Sequence, residues 1–220
     1  MRSGGYTMNK KLSSGVAVFL LVLTLLAGCS TASNKTDKDS ASQDKKNSTS
    51  VADKQDEKAA REKANKELIS DIVESAKQGK IINCEFPVRT TNFGDVENTW
   101  GKADQTSWVP AAKGTYSTYS KKNVAFGWNK GMAIFEVRSF DSRLKNITLA
   151  DLKQNLGTPA YDTKASGQQI IGYTTGTDYK LLFVLAQTTD VNTNPALDHY
   201  SVFDPRGTVN SMADDPGREW

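Results

Sequence analysis

The chain has 220 residues and a formal net charge of +3, with 28 lysines and arginines against 25 acidic residues. Residues 1–28 hold three of these bases and no acid, so the remainder carries equal numbers of the two signs. A near-neutral chain lacks the strongly basic domain that nucleic-acid binding calls for, and no nucleic-acid partner is expected.

The N-terminal segment predicts an exported lipoprotein. Arg2, Lys10 and Lys11 precede an apolar run over residues 16–26. This run is too short to cross a bilayer, which needs about 20 apolar residues, and has the length of a signal-peptide core. It ends in Leu-Ala-Gly-Cys at residues 26–29, where small residues precede a thiol that can accept a diacylglyceryl group. We expect residues 1–28 to be a signal peptide and Cys29 to be the lipidated residue that anchors the protein to the extracytoplasmic face of the cell membrane.

The segment after Cys29 predicts a flexible tether. Residues 30–56 contain no aromatic side chain and only Val51 as a larger aliphatic. Such a segment cannot bury enough apolar surface to offset its chain entropy, so disorder is expected over residues 29–56. Lipidation of Cys29 leaves Cys84 without a disulfide partner, and its apolar surroundings predict a small buried hydrophobe.

An amphipathic helix is predicted from about residue 57. Apolar residues recur at helical spacing, and Gly79 stands where a helix closes in a left-handed cap. The stripe consists of Ala60, Ala64, Leu68, Ile72 and Ala76.

Two later segments repeat one pattern. Residues 92–101 align with residues 148–157, and each segment opens on a residue that caps helices, carries an aspartate three positions on and closes on glycine. The matching pairs are Asn92 with Thr148, Asp95 with Asp151, and Gly101 with Gly157. Two short helices at a spacing of 56 residues are therefore predicted.

Strand-like segments follow each short helix. They cover residues 115–119, 123–128 and 132–140 after the first, and residues 168–174, 179–186 and 199–203 after the second, with a hairpin turn at 175–178. In the 132–140 segment, alternation assigns Ala133, Phe135 and Val137 to one face and Met132, Ile134, Glu136, Arg138 and Phe140 to the other.

The pattern predicts an α+β domain over residues 57–210, followed by a polar tail at 211–220. Repeat one covers about 68–141 and repeat two about 142–205. Each repeat is too small to bury a core alone, so both are expected to share one antiparallel sheet with the helices on one face.

The repeated helix–glycine pairs carry a resemblance. The chain resembles the YjgB-type lipoproteins of spore-forming Gram-positive bacteria over roughly residues 68–205, a family whose domain has no assigned function. At the level of fold, the duplicated helix–sheet unit is similar to the β-lactamase inhibitor protein and to BamE-type outer-membrane lipoproteins. Function transferred on fold alone would be analogy.

Few residues suggest chemistry. His199, preceded by Asp198, could act as a general base, although no nucleophile motif, phosphate loop or zinc-ligand spacing accompanies it. Residues 190–198 match part of a calcium loop, but Pro195 and Ser201 stand where glycine and a bidentate glutamate are required. No catalytic residue, metal site or cofactor is predicted.

The aromatic residues suggest binding instead. A sheet with helices on one side leaves its other face available. We expect a surface of aromatic and apolar residues from both repeats on that face: Tyr116, Tyr119, Trp128, Met132, Ile134, Tyr173 and Tyr179. The favoured interpretation is a non-enzymatic binding module for an envelope protein or a wall polymer. The alternative is a cell-envelope hydrolase or other enzyme whose site is assembled from scattered residues such as Asp198 and His199.

Overall fold

The structure, a computed structural model, describes residues 46–208, with side chains from residue 54 onward. The predicted signal peptide, Cys29, residues 30–45 of the predicted tether and the polar tail lie outside the described residues. No helix of the described part is long and apolar enough to cross a bilayer.

The first helix begins earlier than the sequence suggested. Helix α1 spans Lys46–Lys77, so residues 46–56, which we assigned to the disordered tether, are helical. This stretch and the next turns are rich in lysine, glutamate and alanine, which favour helix, and ion pairs four residues apart support it. These pairs join Lys58 to Glu62 at 3.7 Å and Lys63 to Glu67 at 4.0 Å. Beyond Lys77, Gly79 adopts φ +72°, as the predicted left-handed cap requires.

Both short helices are confirmed. Helix α2 spans Phe93–Trp100 and helix α3 spans Leu149–Leu156. The Asn92 side chain accepts a hydrogen bond from the Gly94 amide, whereas Thr148 and Asp151 form a reciprocal capping box. Both helices end on glycines of positive φ, at Gly101 and Gly157.

The sheet has eight strands in one antiparallel array. The strands are β1 Gln105–Val109, β2 Gly114–Tyr119, β3 Val124–Trp128, β4 Ile134–Ser139, β5 Tyr161–Ala165, β6 Gln168–Thr175, β7 Tyr179–Ala186 and β8 Leu197–Phe203. Their order is β1-β2-β3-β4-β8-β7-β6-β5. Each repeat therefore contributes four consecutive strands, and the two halves join where β4 pairs with β8.

Equivalent details confirm the duplication. The amide of the first residue of α2, Phe93, donates to the Met132 carbonyl at 2.7 Å, and that of α3, Leu149, donates to Pro195 at 3.0 Å. A register shift interrupts β3–β4 pairing at Trp128 and β7–β8 pairing at Leu185. The α+β fold with a shared sheet is thus as the sequence predicts.

The main core lies between the helices and one face of the sheet, which we call the helix face. It contains buried residues of α1, α2, α3 and six of the strands, including Ile72, Phe126 and Phe183. Cys84 belongs to this core, and burial raises the pKa of its thiol to about 12, which confirms the small buried hydrophobe.

Candidate functional site

The face of the sheet that points away from the helices, the open face, has a small core of its own at one end. Phe135, Tyr116 and Phe203 pack there with Ala112 from a 3₁₀ turn at Pro110–Ala112. A second 3₁₀ turn, Pro205–Thr208, lies against Phe135. A Cβ at Gly207 would come within 2.3 Å of Phe135 Cβ, so only glycine permits this approach.

The two turns cover mainly the repeat-one part of the open face. Over β5 to β7, several residues of the open face remain half-buried. The half-buried positions are Tyr161 and Thr163 on β5, Ile170 on β6, and Lys180 and Leu182 on β7. Since strand pairing places Ile170 beside Val184, and Leu182 beside Gly172 and Ser201, these positions form one continuous strip across the strands.

The structure does not bring the seven predicted binding residues together on the open face. Of its seven residues only Tyr116 lies on the open face, where it is 8% exposed. The other six pack into or against the main core on the helix face: Tyr119, Trp128, Met132, Ile134, Tyr173 and Tyr179.

Two of these tyrosines have a structural role. The Tyr119 hydroxyl donates to the Gly101 carbonyl at 2.8 Å, and the Tyr173 hydroxyl donates to the Gly157 carbonyl at 3.0 Å. Both hydroxyls thus fasten the C-terminus of a short helix to the sheet. Their equivalence across the repeats explains why tyrosine occurs at both positions.

The alternation of side chains along each strand explains why these residues lie on different faces. Tyr116 and Tyr119 are three residues apart on β2, so their side chains point to opposite faces. On β4, a bulge sets Ile134 opposite Trp128 and Glu136 opposite Gly127, which leaves Phe135 as an extra residue. As a result Ile134 and Val137 share the helix face, and the predicted alternation fails.

A charged group occupies the centre of the open face. Glu136 is 3% exposed and accepts hydrogen bonds from the Tyr116 hydroxyl and from Arg138 Nε, the latter at 2.8 Å. The Arg138 guanidinium lies 4.4 Å from the centre of the Tyr116 ring, and its side chain remains 31% exposed. Burial opposes the charge on Arg138, but Glu136 outweighs burial and raises the pKa of the guanidinium. The Arg138 guanidinium therefore stays charged beside the Glu136 carboxyl group.

Asp198 and His199 do meet on the adjoining strand. His199 Nδ1 lies 2.8 Å from Asp198 Oδ2, and Lys145 Nζ lies 2.7 Å from the other carboxylate oxygen. Burial lowers the pKa of His199 although Asp198 opposes this effect, and the ring stacks on Phe140 with centroids 4.8 Å apart. Within residues 54–208 the structure gives His199 no hydrogen bond to a serine or threonine hydroxyl. The imidazole packs on the Phe140 ring, and among the described residues it has no hydroxyl nucleophile to activate, which favours a structural role.

The residues that partly match a calcium loop make other contacts in the structure. Asn194 Oδ1 accepts a hydrogen bond from the Ala150 amide at the start of α3, and Asp198 is paired with Lys145. Among the described side chains no group of three or more His, Cys, Asp or Glu residues could hold a metal ion.

A second charged cluster was not visible in the sequence. Arg89 donates to both Asp204 oxygens at 2.9 and 3.1 Å and to Asp178 at 3.0 Å, while Arg206 reaches Asp178 at 2.7 Å. Arg89 adopts φ +72° and stacks over Tyr179 at 4.8 Å. This network joins the segment before α2 to the β6–β7 turn and the chain after β8. No local sequence signal brings its members together.

Comparisons with known proteins identify the family of the domain. The model of a family described as a domain of unknown function, DUF4309, matches residues 69–203. The crystal structure of a DUF4309 family protein, YjgB from Bacillus subtilis subsp. subtilis str. 168, is similar with 21% sequence identity and a TM-score of 0.48. The similarity covers 63% of this chain and 97% of that one. A search of curated proteins gives no match.

Proposed function

Since the chain belongs to the DUF4309 family of domains of unknown function, we propose from its own residues that it is a non-enzymatic binding module on a lipid anchor. In this proposal Cys29 carries the lipid, the domain stands on the extracytoplasmic face of the cell membrane, and its partner is an envelope protein. The contact surface is the half-buried strip on β5 to β7.

The N-terminal features support an anchored module held away from the membrane. The basic start, apolar run and cysteine at residue 29 are the signals of lipoprotein processing. Helix α1 has 32 residues and is about 48 Å long at 1.5 Å per residue. Its residues 54–64 are all exposed, so this part of the helix packs on no other described element and is suited to be a spacer.

The half-buried strip is the observation that carries the proposal. Tyr161 and Leu182 flank Gly172, and Ile170 lies two residues away on the same strand, on a sheet face that no helix of the described residues covers. Contiguous apolar surface rimmed by polar groups marks interaction sites on soluble domains. Thr163 and Lys180 provide such a rim. This surface suits a protein segment with apolar side chains.

The experiment is site-specific photo-crosslinking in cells. A benzophenone amino acid replaces Tyr161 on the strip, and in a matched protein it replaces Trp108, which is 51% exposed on β1. We expect a discrete adduct with an envelope protein from position 161 and none from position 108.

A second substitution separates specific contact from chance capture. Leu182→Gln keeps the size of the side chain but makes the strip polar, so the adduct from position 161 should disappear. Leu182 is half-buried and packs against the small core of the open face, so the melting temperature should fall by only about 2–4 °C. Equal adducts from both positions, or an adduct that survives Leu182→Gln, would contradict a protein-binding strip.

A further inference from the structure

A second feature lies on the helix face, at the outer edge of repeat two. A surface cleft of about 760 Å³ lies between α3, strands β5 and β6, and the segment before β8. Leu149 and Lys153 line it from α3, Asp162 and Lys164 from β5, and Gln169 from β6. Its volume falls within the range of pockets that hold small ligands, about 300–1,000 Å³.

One group in the cleft lacks a partner. Gln169 is 3% exposed, and its Nε2 donates to Asp162 Oδ1 at 2.7 Å. Its side-chain carbonyl Oε1 is buried and has no hydrogen-bond partner among the described residues. Buried carbonyls are rarely left unsatisfied in native proteins, and each such case calls for an explanation. A ligand that donates a hydrogen bond in the cleft would supply the missing partner.

In repeat one, the position equivalent to this cleft is filled by a tryptophan side chain. Pairing sets Thr115 opposite Trp128 in repeat one and Gln169 opposite Leu185 in repeat two. Trp128 stacks on Phe93, the first residue of α2, with ring centroids 5.0 Å apart. In repeat two Leu185 replaces the indole, and the first residue of α3, Leu149, lines the cleft instead. The cleft is therefore a specific departure from the duplicated pattern.

The polar lining indicates the class of ligand. Lys153 and Lys164 are balanced by Asp162 and Asp190, and Lys153 Nζ already lies 3.7 Å from Asp162. A charged ligand would meet walls of no net charge. Three threonine hydroxyls, Thr188, Thr189 and Thr193, complete the lining. Hydroxyl, amide and carboxylate groups together offer donors and acceptors at close spacing, which matches a ligand that carries many hydroxyls.

We infer that this cleft binds a neutral polyhydroxylated ligand, a glycan segment, with the Gln169 side-chain carbonyl accepting a hydrogen bond from a ligand hydroxyl. Lys153 and the threonines contact further hydroxyls at the rim. The inference is independent of the strip on the open face, because the cleft lies on the opposite side of the sheet.

The test is calorimetric titration of the full chain, in detergent micelles, with the β-1,4-linked tetramer of N-acetylglucosamine as probe. We expect saturable binding that changes little between low and high salt, since no net charge is neutralised. Gln169→Leu removes the acceptor at nearly constant volume and should weaken the affinity about tenfold or more, because one buried hydrogen bond is lost. Gln168→Leu makes the same chemical change one residue away, on the open face, and should leave the affinity unchanged.

A second variant separates a loss of binding from an effect of Gln169→Leu on folding. Thr193 is exposed at the rim, so Thr193→Trp should obstruct the cleft without disturbing the Gln169–Asp162 hydrogen bond. Absence of saturable binding by the wild-type chain, or full affinity in both variants, overturns the inference. Binding of a lysine-containing tripeptide in a salt-sensitive manner, without binding of the tetramer, overturns the ligand class. Leu182→Gln should bind the tetramer normally, which keeps this result separate from that of the open face.

Discussion

Two isoleucine-to-alanine substitutions distinguish the two faces of the sheet. Ile72 on α1 is fully buried in the main core, whereas Ile170 on β6 is half-buried on the open face. Ile72→Ala removes three buried carbon groups, a transfer loss of about 2.4 kcal/mol at about 0.8 kcal/mol each. The cavity left under the helix adds to this, so the free energy of unfolding should fall by about 3 kcal/mol.

The same change at Ile170 should cost about 1 kcal/mol, because much of this side chain already contacts water in the folded state. For a domain of this size, 1 kcal/mol corresponds to about 2–4 °C in melting temperature. Thermal melts of the purified chain should therefore show a fall of about 6–12 °C for Ile72→Ala and about 2–4 °C for Ile170→Ala.

The ratio of the two shifts is the critical result. If Ile170→Ala destabilised the protein as much as Ile72→Ala, another part of the protein would have to cover the open face. The strip would then be a second core, and the proposed binding surface would not exist. A small shift for both variants would instead show that α1 does not dock through Ile72.

Three further predictions concern other parts of the chain. Cys29→Ala should release the protein from the membrane fraction to the medium; continued labelling with a fatty-acid probe would contradict lipidation at this residue. Gly207→Ala should destabilise the domain by about 1–3 kcal/mol in urea unfolding, because its Cβ would lie 2.3 Å from Phe135 Cβ. Gly131→Ala, which meets only the Asn129 side chain at 3.3 Å, is the control and should have little effect. His199 is the single histidine, and burial lowers its folded-state pKa. The unfolded chain therefore binds more protons, so stability is present above about pH 6.5 and is lost as the pH falls below it. His199→Gln should flatten this slope in unfolding curves measured between about pH 7.5 and about pH 5.5; an unchanged slope would show that another group titrates.

Local signals made much of the fold predictable. The caps and glycines of α2 and α3 are short-range features, and six strands were recognisable from runs of apolar and β-branched residues. The two missed strands, Gln105–Val109 and Tyr161–Ala165, form the two edges of the sheet. Their residues are mostly exposed and polar, so they exist through pairing with β2 and β6 rather than through a hydrophobic pattern of their own.

The binding surface was less predictable because side-chain direction depends on register. The bulge at Phe135 reverses the alternation of β4, and nothing in residues 132–140 signals an extra residue. The aromatic character of Tyr119 and Tyr173 suggested exposure, whereas their hydroxyls satisfy carbonyls at the ends of the short helices. The role of Gln169 depends on contacts among α3, β5 and β6, which a single sequence does not reveal.

The duplication explains where binding surfaces can arise. Two equivalent units joined through β4 and β8 would bury and expose equivalent residues if they had not diverged. On the open face, the turn at Pro205–Thr208 folds back over Phe135 in repeat one, and no described turn covers the strip of repeat two in this way. On the helix face, Trp128 fills a space in repeat one. The equivalent space in repeat two, beside Gln169, remains open. Both departures place available surface in repeat two, whereas strands β2 to β4 of repeat one are mostly buried. Under both proposals, substitutions that abolish binding without a large loss of stability should fall within β5 to β7 and α3.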